Sequence, residues 1–523
     1  MTKQENDGKM KENQMLRTGK VWLVGAGPGD AGLLTLKGAK VLKEAQVVVY
    51  DSLVGDAVLA MIPQGVKTIN VGKRAGNHTM PQEQINQVLK DQAEQGLRVV
   101  RLKGGDPFLF GRGGEELELL ARYGIPYEVV PGITSAIAVP AYNGIPVTHR
   151  DFCSSVHIIT GHQKKGEPLK TDFEALVRTK GTLVFLMGIS ALPAIMAGLL
   201  DAGMDPEMPC AVLSRGTTAF QSSLTATIGS IEEKVKERGV VTPAIIVVGR
   251  VCALKEQFSW YEKLPLSGCR VVVTRPKGRS GKMSSILRTR GAEVLEIPSI
   301  ETVPLQDLSA LSCICENLDR YQWTAFTSPY GVKVFFEKLF QSGRDARALA
   351  HMKFAVIGEG TKKALAEHGI LADLMPEIYD GVHLGEAMAE VCGHGESILL
   401  PRAEIGSEGI LDALAGRTDL HVTDLPVYET KNSAPEVLDE QKLFEPGAVT
   451  LAVFTSASTV RGFLAAVPGL NMGEITAVCI GRQTEAEARK AGMKTIVSEK
   501  ATLESLAECV EQVYLKRTTG GTC

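Results

Sequence analysis

Short apolar runs alternate with amphipathic stretches from residue 20 onward. Val21–Val24, Val47–Tyr50, Val99–Leu102 and Tyr127–Val130 each read as a buried strand, and Gly or Pro follows several of them closely. His157–Thr160, Thr182–Met187, Cys210–Ser214 and Ala244–Val248 continue the series. Between them apolar positions recur at helical spacing, as at Leu34, Val41, Leu42 and Ala45. Strand–helix alternation of this kind predicts an α/β fold class. Lys255–Ser267 breaks the pattern with mixed charges, Trp260, Tyr261 and Pro265. A fresh strand is expected at Cys269–Thr274, so the main domain boundary is placed in that stretch.

Beyond it the chain repeats itself. Val273-Thr274-Arg275 matches Leu400-Pro401-Arg402, and Pro298-Ser299-Ile300-Glu301-Thr302 matches Pro426-Val427-Tyr428-Glu429-Thr430. Phe326-Thr327-Ser328 matches Phe454-Thr455-Ser456, and Ile357-Gly358 with Thr361 matches Ile480-Gly481 with Thr484. The first three pairs are offset by about 127 residues and the last by 123. Four motifs in one order at nearly one offset predict two similar α/β lobes.

Composition narrows the class. A chain of 523 residues exceeds a single core and implies about three or four globular units. With 44% hydrophobic and 22% charged residues it reads as an ordinary soluble protein. A net charge of −3 argues against nucleic acid or an anionic membrane as partner of the whole chain. The ten cysteines form no CxxC pair, so free thiols in a reducing cytoplasm are expected, and no metal site. The polar N-terminus lacks a secretory core, and no apolar run reaches the ~20 residues of a membrane span. A cytoplasmic location follows as the expectation.

Candidate chemistry lies in three loops. Val24-Gly25-Ala26-Gly27-Pro28-Gly29-Asp30 follows the first strand and imitates a dinucleotide fingerprint, with Asp51 at about the ribose-binding distance. Asp30 stands where the third glycine belongs, and a carboxylate there would repel a diphosphate; Pro28 also removes a backbone donor. The loop suits close approach to some other ligand. Lys103-Gly104-Gly105-Asp106-Pro107-Phe108-Leu109-Phe110-Gly111-Arg112-Gly113-Gly114-Glu115-Glu116 is the second loop, and Val130-Pro131-Gly132-Ile133-Thr134-Ser135-Ala136 the third. Asp106 could answer a positive charge and Arg112 a carboxylate. All three should converge beyond the carboxyl ends of the strands.

These loops, with Gly144–Arg150 and Thr160-Gly161-His162, resemble the uroporphyrinogen-III C-methyltransferases of the tetrapyrrole methylase family, over about Gly19 to Val251. The resemblance implies two α/β domains with S-adenosylmethionine, the methyl donor, in the cleft between them, and a homodimer formed through this half. It assigns donor contacts to Pro28, Gly104, Gly105, Asp106, Leu109, Thr134, Ser135, Met187 and Gly216. Ser135 stands where the family often has Ala. It also assigns a proton acceptor to Asp51 and a proton donor to Lys73. Arg101, Lys103, Arg112, His149, Arg150 and His162 could pair with the carboxylates of a tetrapyrrole. Taken singly, Asp51 reads as a helix cap, Lys73 as a surface lysine and Met187 as core.

From about Leu266 to Leu515 the chain resembles uroporphyrinogen-III synthases, carried by Thr274-Arg275-Pro276, Phe326–Pro329, Ile357–Thr361, Leu425–Thr430, Phe454–Ser456 and Ile480–Thr484. That family's fold has two α/β lobes joined by two extended linkers and uses no cofactor; Ile297–Thr302 and Leu425–Thr430 would be the crossings. Tyr428, whose repeat partner is Ile300, matches the tyrosine thought to assist departure of a hydroxyl. It reads equally as a linker aromatic packed in a crease. Thr327, Ser328, Thr361, Thr455, Ser456 and Thr484 could hold substrate carboxylates, or cap helices.

The expected organisation is a tail at 1–18, a methyltransferase at 19–254, a linker at 255–267, a synthase at 268–515 and a tail at 516–523. One synthase lobe takes 268–300 with 431–515, the other 304–424. The implied reactions are cyclisation of hydroxymethylbilane to uroporphyrinogen III and its methylation at C2 and C7 to precorrin-2, on the way to sirohaem or cobalamin. The rivals are a nicotinamide-dependent dehydrogenase, opposed by Asp30, and a methyltransferase fused to a non-catalytic small-molecule sensor.

Overall fold

A computed structural model of the chain describes residues 19–63, 65–72, 80–161, 170–276, 281–406, 408–432 and 440–518. The first sheet joins β1 (Lys20–Gly25), β2 (Val47–Tyr50), β3 (Lys67–Asn70), β4 (Arg98–Lys103) and β5 (Tyr127–Val130) in the order β3-β2-β4-β1-β5. All its pairings are parallel. Such a sheet needs cover on both faces. Val21, Leu23, Val47, Val49 and Val99 enter one core, and Val24, Val48, Val100 and Leu102 enter the other. This alternation is why these strands read as unbroken apolar runs.

The second sheet joins β6 (Val156–Thr160), β7 (Thr182–Leu186), β8 (Pro209–Ser214), β9 (Ser222–Thr227) and β10 (Ala244–Val248) in the order β6-β7-β10-β8-β9. Only β6 and β7 run parallel; the remaining pairs are antiparallel. Two strands escaped the apolar pattern. Lys67–Asn70 is short and half-buried, and Ser222–Thr227 is a Ser/Thr-rich edge.

The later strands are β11 (Cys269–Pro276), β12 (Glu293–Pro304), β13 (Trp323–Phe326), β14 (Lys353–Val356), β15 (Ser397–Ala403), β16 (His421–Asn432), β17 (Val449–Phe454), β18 (Thr476–Cys479) and β19 (Lys494–Val497). The chain divides into two compact units. One holds residues 1–275, 279–299 and 434–523, the other 276–278 and 300–433. In the first unit β11, β17, β18 and β19 form a parallel run. In the second unit β14, β13, β15 and β16 form another, and residues 300–304 of β12 add to it antiparallel. The division falls within β12 and just past β16, the two strands that contain the expected crossings.

The sequence repeat is a repeat of packing. Ile357 donates its N–H to the carbonyl of Phe326 at 3.1 Å, and Ile480 does the same to Phe454 at 3.1 Å. Phe326 meets Phe335 edge-on at 5.6 Å and 69°; Phe454 meets Phe463 at 5.4 Å and 69°. Ser328 and Ser456 each cap the helix that follows. Lys255–Ser267 is largely turns of helix, and it packs: Trp260 Nε1 donates to the Ala141 carbonyl at 2.9 Å. No helix among the described residues is long and apolar enough to cross a membrane.

Candidate functional site

Three loops leave the carboxyl ends of β1, β4 and β5 and meet backbone to backbone. Gly105 donates its N–H to Gly27 O at 2.8 Å, and Gly27 returns one to Gly105 O at 3.2 Å. A Cβ on Gly25 would stand 2.5 Å from Gly132 Cα, and one on Gly132 would stand 2.2 Å from Gly105 O. No other residue fits at these two positions. Gly105 has φ +67° and its open side meets nothing closer than 3.9 Å, which leaves backbone accessible to a ligand. Asp106 fastens the second loop to the third. Its Oδ1 accepts from Phe108 and Leu109 N–H at 2.8 and 3.2 Å, and its Oδ2 accepts from Gly132 N–H at 2.9 Å. The carboxylate therefore serves backbone donors. Thr134 caps the helix Ser135–Tyr142, accepting from Ala136 N–H at 3.3 Å, and Leu109 packs against the core beneath the second sheet.

Asp30 shows why the first loop is no diphosphate cradle. Its carboxylate turns inward, accepting from Gly32 N–H and from the Tyr142 hydroxyl, both at 2.7 Å. Burial, and then the Asp30 charge, push the Tyr142 hydroxyl far up from its ordinary value. The Asp30 N–H donates to Thr217 Oγ1 at 3.2 Å, which brings in the loop after β8. That loop is strained: Arg215 has φ +46° and Thr217 φ +69°. Between them Gly216 faces Val139, where a Cβ would come within 2.4 Å of Cγ1. Met187, at the end of β7, has φ +54° and is half-exposed. Left-handed non-glycine residues cluster where a ligand is clamped. Pro28 is half-buried in the first loop.

Asp51 follows β2. Its Oδ1 accepts from Leu53 N–H at 3.1 Å, and its Oδ2 lies 3.3 Å from Arg101 Nη2. Arg101 Nε and Lys103 Nζ both donate to Glu116 Oε1, at 3.1 and 2.9 Å, and Gln82 Nε2 adds a donor at 3.2 Å. Glu116 is fully buried, and its Oε2 has no partner among the described residues. Burial and then the Arg101 charge lower the Lys103 ammonium below its usual value. Arg101 and Lys103 were expected to reach substrate carboxylates; both are buried and committed to Glu116, which corrects that expectation. The signal was present in the strand. Positions 101 and 103 share one face of a buried strand, and two cations there require an internal counter-ion.

Arg112 is exposed and grips Glu115 with Nε and Nη2 at 2.8 and 2.6 Å. Arg150 is exposed. Lys73 and His162 lie outside the described residues. Sequence reasoning passed over Tyr142 and Thr217, because the hydrogen bond that ties each to Asp30 spans more than a hundred residues.

In the second unit Tyr428 is buried within β16, and its hydroxyl donates to Ser328 Oγ at 2.7 Å. Ser328 Oγ in turn accepts from Gly331 N–H at 3.0 Å. Tyr330 packs edge-on against the Tyr428 ring at 5.2 Å. Thr327 is half-buried beside this chain, and the side chain of Thr361 is buried in the first turn of its helix. In the first unit Ser456 is the cap of its helix with Thr459, Thr455 is half-buried, and Thr484 is buried. Ser328 and Ser456 are thus helix caps; the buried hydroxyls of Thr361 and Thr484 face away from solvent.

Two family models match separate halves of the chain. The one described as tetrapyrrole (corrin/porphyrin) methylases matches residues 20–232, and the one described as uroporphyrinogen-III synthase HemD matches residues 281–508. The porphyrin biosynthesis protein HemD of Ruminiclostridium josui is 46% identical over 490 residues, 94% of this chain and 97% of that protein. Siroheme synthase 2 of Klebsiella pneumoniae is 50% identical over 243 residues, 46% of this chain and 52% of that protein. The chain therefore spans about half the length of that relative. A solved uroporphyrin-III C-methyl transferase from Thermus thermophilus, complexed with S-adenyl homocysteine, is 41% identical. It covers 45% of this chain and 100% of its own, with a TM-score of 0.40.

Proposed function

The chain belongs to the family in which a tetrapyrrole methylase is fused to a HemD-type uroporphyrinogen-III synthase, and from that premise we propose that one half cyclises hydroxymethylbilane to uroporphyrinogen III and the other methylates that product at C2 and C7 to precorrin-2. The meeting of three glycine loops beside Asp51 carries the methyltransferase reading. A backbone cradle open at Gly105, with Gly29 against the loop at Gly216–Thr218, suits a flat, uncharged adenosine-like body better than a diphosphate.

S-adenosylmethionine would supply an electrophilic methyl group at this site. Pro28, Gly104, Gly105, Asp106, Leu109, Thr134, Ser135, Met187 and Gly216 are the residues proposed to hold it. The chain's own work is alignment and proton handling. Asp51, its Oδ2 3.3 Å from Arg101 Nη2 and its side chain partly exposed, accepts the proton that leaves the pyrrole ring after carbon attack. Lys73 is the proposed donor for the change of tautomer. Arg112 and Arg150, both at the surface, meet the acetate and propionate groups of the substrate.

In the synthase half, the Tyr428 hydroxyl is the proposed acid that helps the bilane's hydroxyl leave. Ser328 Oγ, already holding that hydroxyl at 2.7 Å, would relay the hydrogen bond as the phenol turns to substrate. Thr327 and Thr455, half-buried just past β13 and β17, are proposed with Ser328 and Ser456 to bind the carboxylates; Thr361 and Thr484, buried inside their helices, are not. The product of one half is the substrate of the other, which gives the fusion its chemical sense.

An anaerobic reaction of the whole chain with hydroxymethylbilane, with and without S-adenosylmethionine, tests the reading by mass and isomer analysis. Uroporphyrinogen III is expected without the donor, and a product heavier by two methyl groups with it. Only the symmetrical type I ring, with supplied uroporphyrinogen III still methylated, would replace the synthase by a sensor.

A further inference from the structure

The donor-side loop at residues 214–221 belongs to the N-terminal half, yet much of what holds it comes from the C-terminal half. Glu445 accepts two hydrogen bonds from Arg215, at 3.2 and 3.1 Å. Glu293 Oε2 accepts the N–H of Ala219 at 3.0 Å. Glu293 is itself buried and fixed by Arg270, whose Nη2 and Nε reach it at 2.9 and 3.2 Å. Two guanidiniums stand over the Phe220 ring, Arg215 at 3.9 Å and Arg270 at 4.6 Å from its centroid. Arg270 Nη2 also stands 3.5 Å from Asp56, close behind the Asp51 turn, and Ala57 packs into a core with Val272 and Leu295.

The backbone of this loop is strained. Arg215 and Thr217 both sit in the left-handed region, a conformation that persists only where surroundings impose it. The N-terminal half contributes the Asp30–Thr217 bond, the Arg215 N–H bond to Pro243 O at 2.9 Å, the Gln221 Oε1 that accepts Thr217 N–H at 2.9 Å, and the seat of Gly216 against Val139. The charged contacts at either end of the strained stretch, at 215 and at 219, are made by residues 445 and 293.

We propose that Glu293 and Glu445 of the synthase half are positioning residues for the methyl-donor loop, so that the affinity of the methyltransferase for its donor depends on the attached synthase. The proposal rests on the donor reading above. Glu445 acts through Arg215, and Glu293 acts through the Ala219 N–H and Arg270. Because coupling is reciprocal, donor binding feeds back on Arg270 and Glu293.

The test is calorimetric titration of the full chain with S-adenosylhomocysteine for wild type, Glu445→Ala, Glu293→Gln and the charge swap R215E/E445R. Bilane cyclisation and the donor KM and kcat of methylation are measured on the same preparations. Kd and donor KM are expected to rise about two- to fivefold in Glu445→Ala, whose ion pair is partly screened, and roughly tenfold in Glu293→Gln. The kcat at saturating donor and the cyclisation rate should hold, and the charge swap should recover most of the Glu445→Ala loss. Folded variants that bind as wild type overturn the proposal, as does a swap that recovers nothing. Wild-type protein that ignores S-adenosylhomocysteine sinks the donor reading itself, and that result is distinct from a variant-specific change.

Discussion

Arg101 Nη2 stands 3.3 Å from Asp51 Oδ2 at the carboxyl edge of the first sheet, while Glu116 occupies the Nε of the same guanidinium at 3.1 Å. Arg101 therefore joins a partly exposed carboxylate to a fully buried one. The pairing fixes the direction of the Asp51 carboxylate, and a proton acceptor must be held in a defined direction.

Asp51→Asn retains the size of the side chain and an oxygen for Leu53 N–H, but loses the charge. Methylation kcat should fall at least about a hundredfold, with S-adenosylhomocysteine affinity and bilane cyclisation within twofold of wild type. Steady-state rates with supplied uroporphyrinogen III decide it. An unchanged kcat would reduce Asp51 to a turn-forming residue.

Gly132→Ala sets a methyl group 2.2 Å from Gly105 O, with backbone on both sides and no flexible side chain to give way. The expected cost is about 1–3 kcal/mol of stability, with donor binding lost as the second and third loops are pushed apart. Gly114→Ala, where a Cβ meets nothing within 4 Å, is the matched control and should behave as wild type. Denaturant midpoints and calorimetry on both variants separate a local effect from general fragility.

Tyr428→Phe removes one hydroxyl from a buried, otherwise packed ring. Its bond to Ser328 Oγ at 2.7 Å is lost, and about 1 kcal/mol of stability with it. Formation of uroporphyrinogen III should slow more than about tenfold, while methylation of supplied uroporphyrinogen III is untouched. Ser328→Ala separates the roles: if Tyr428 acts by its own hydroxyl, this variant cyclises faster than Tyr428→Phe. Equal loss in both would make the Tyr428–Ser328 bond a structural tie.

Legibility followed burial. Strands covered on both faces, such as Val47–Tyr50 and Ala244–Val248, stood out because every residue had to be apolar. Ser222–Thr227 did not, because an edge strand can keep its hydroxyls wet. The repeat at Phe326 and Phe454 was legible because the same turn, cap and aromatic pair are built twice. The glycine loops were legible for the reason Gly25 and Gly132 show: where backbones touch, only one residue type serves. Side-chain traffic was not legible. Asp106 looked like a charge partner and is a backbone tie; Arg101 and Lys103 looked like substrate ligands and are buried against Glu116. Sequence spacing says which strand end a residue occupies, but the direction of a long polar side chain depends on partners such as Glu445, 230 residues from Arg215.

Glu128 gives a pH dependence with a definite sign. On β5, opposite Trp22 of β1, its carboxylate takes Lys20 Nζ at 2.6 Å, Lys37 Nζ, and the Trp22 indole N–H at 3.2 Å. Hydrogen bonds from the two ammonium groups hold its pKa down from 4.5 to about 2. A carboxyl depressed in the folded state binds its proton more readily when unfolded. Its stabilising contribution is therefore complete above 4.5 and drains away as pH falls from 4.5 toward about 2. Glu128→Gln cannot be ionised and lacks that contribution at every pH. Thermal midpoints of wild type and Glu128→Gln should differ by a constant amount above pH 4.5, converge below it, and coincide near pH 2. Salt should shrink the plateau difference, because the lysines are partly exposed. A gap that persists unchanged to the bottom of that window would mean that Glu128 stabilises the β1–β5 pair by packing rather than by charge.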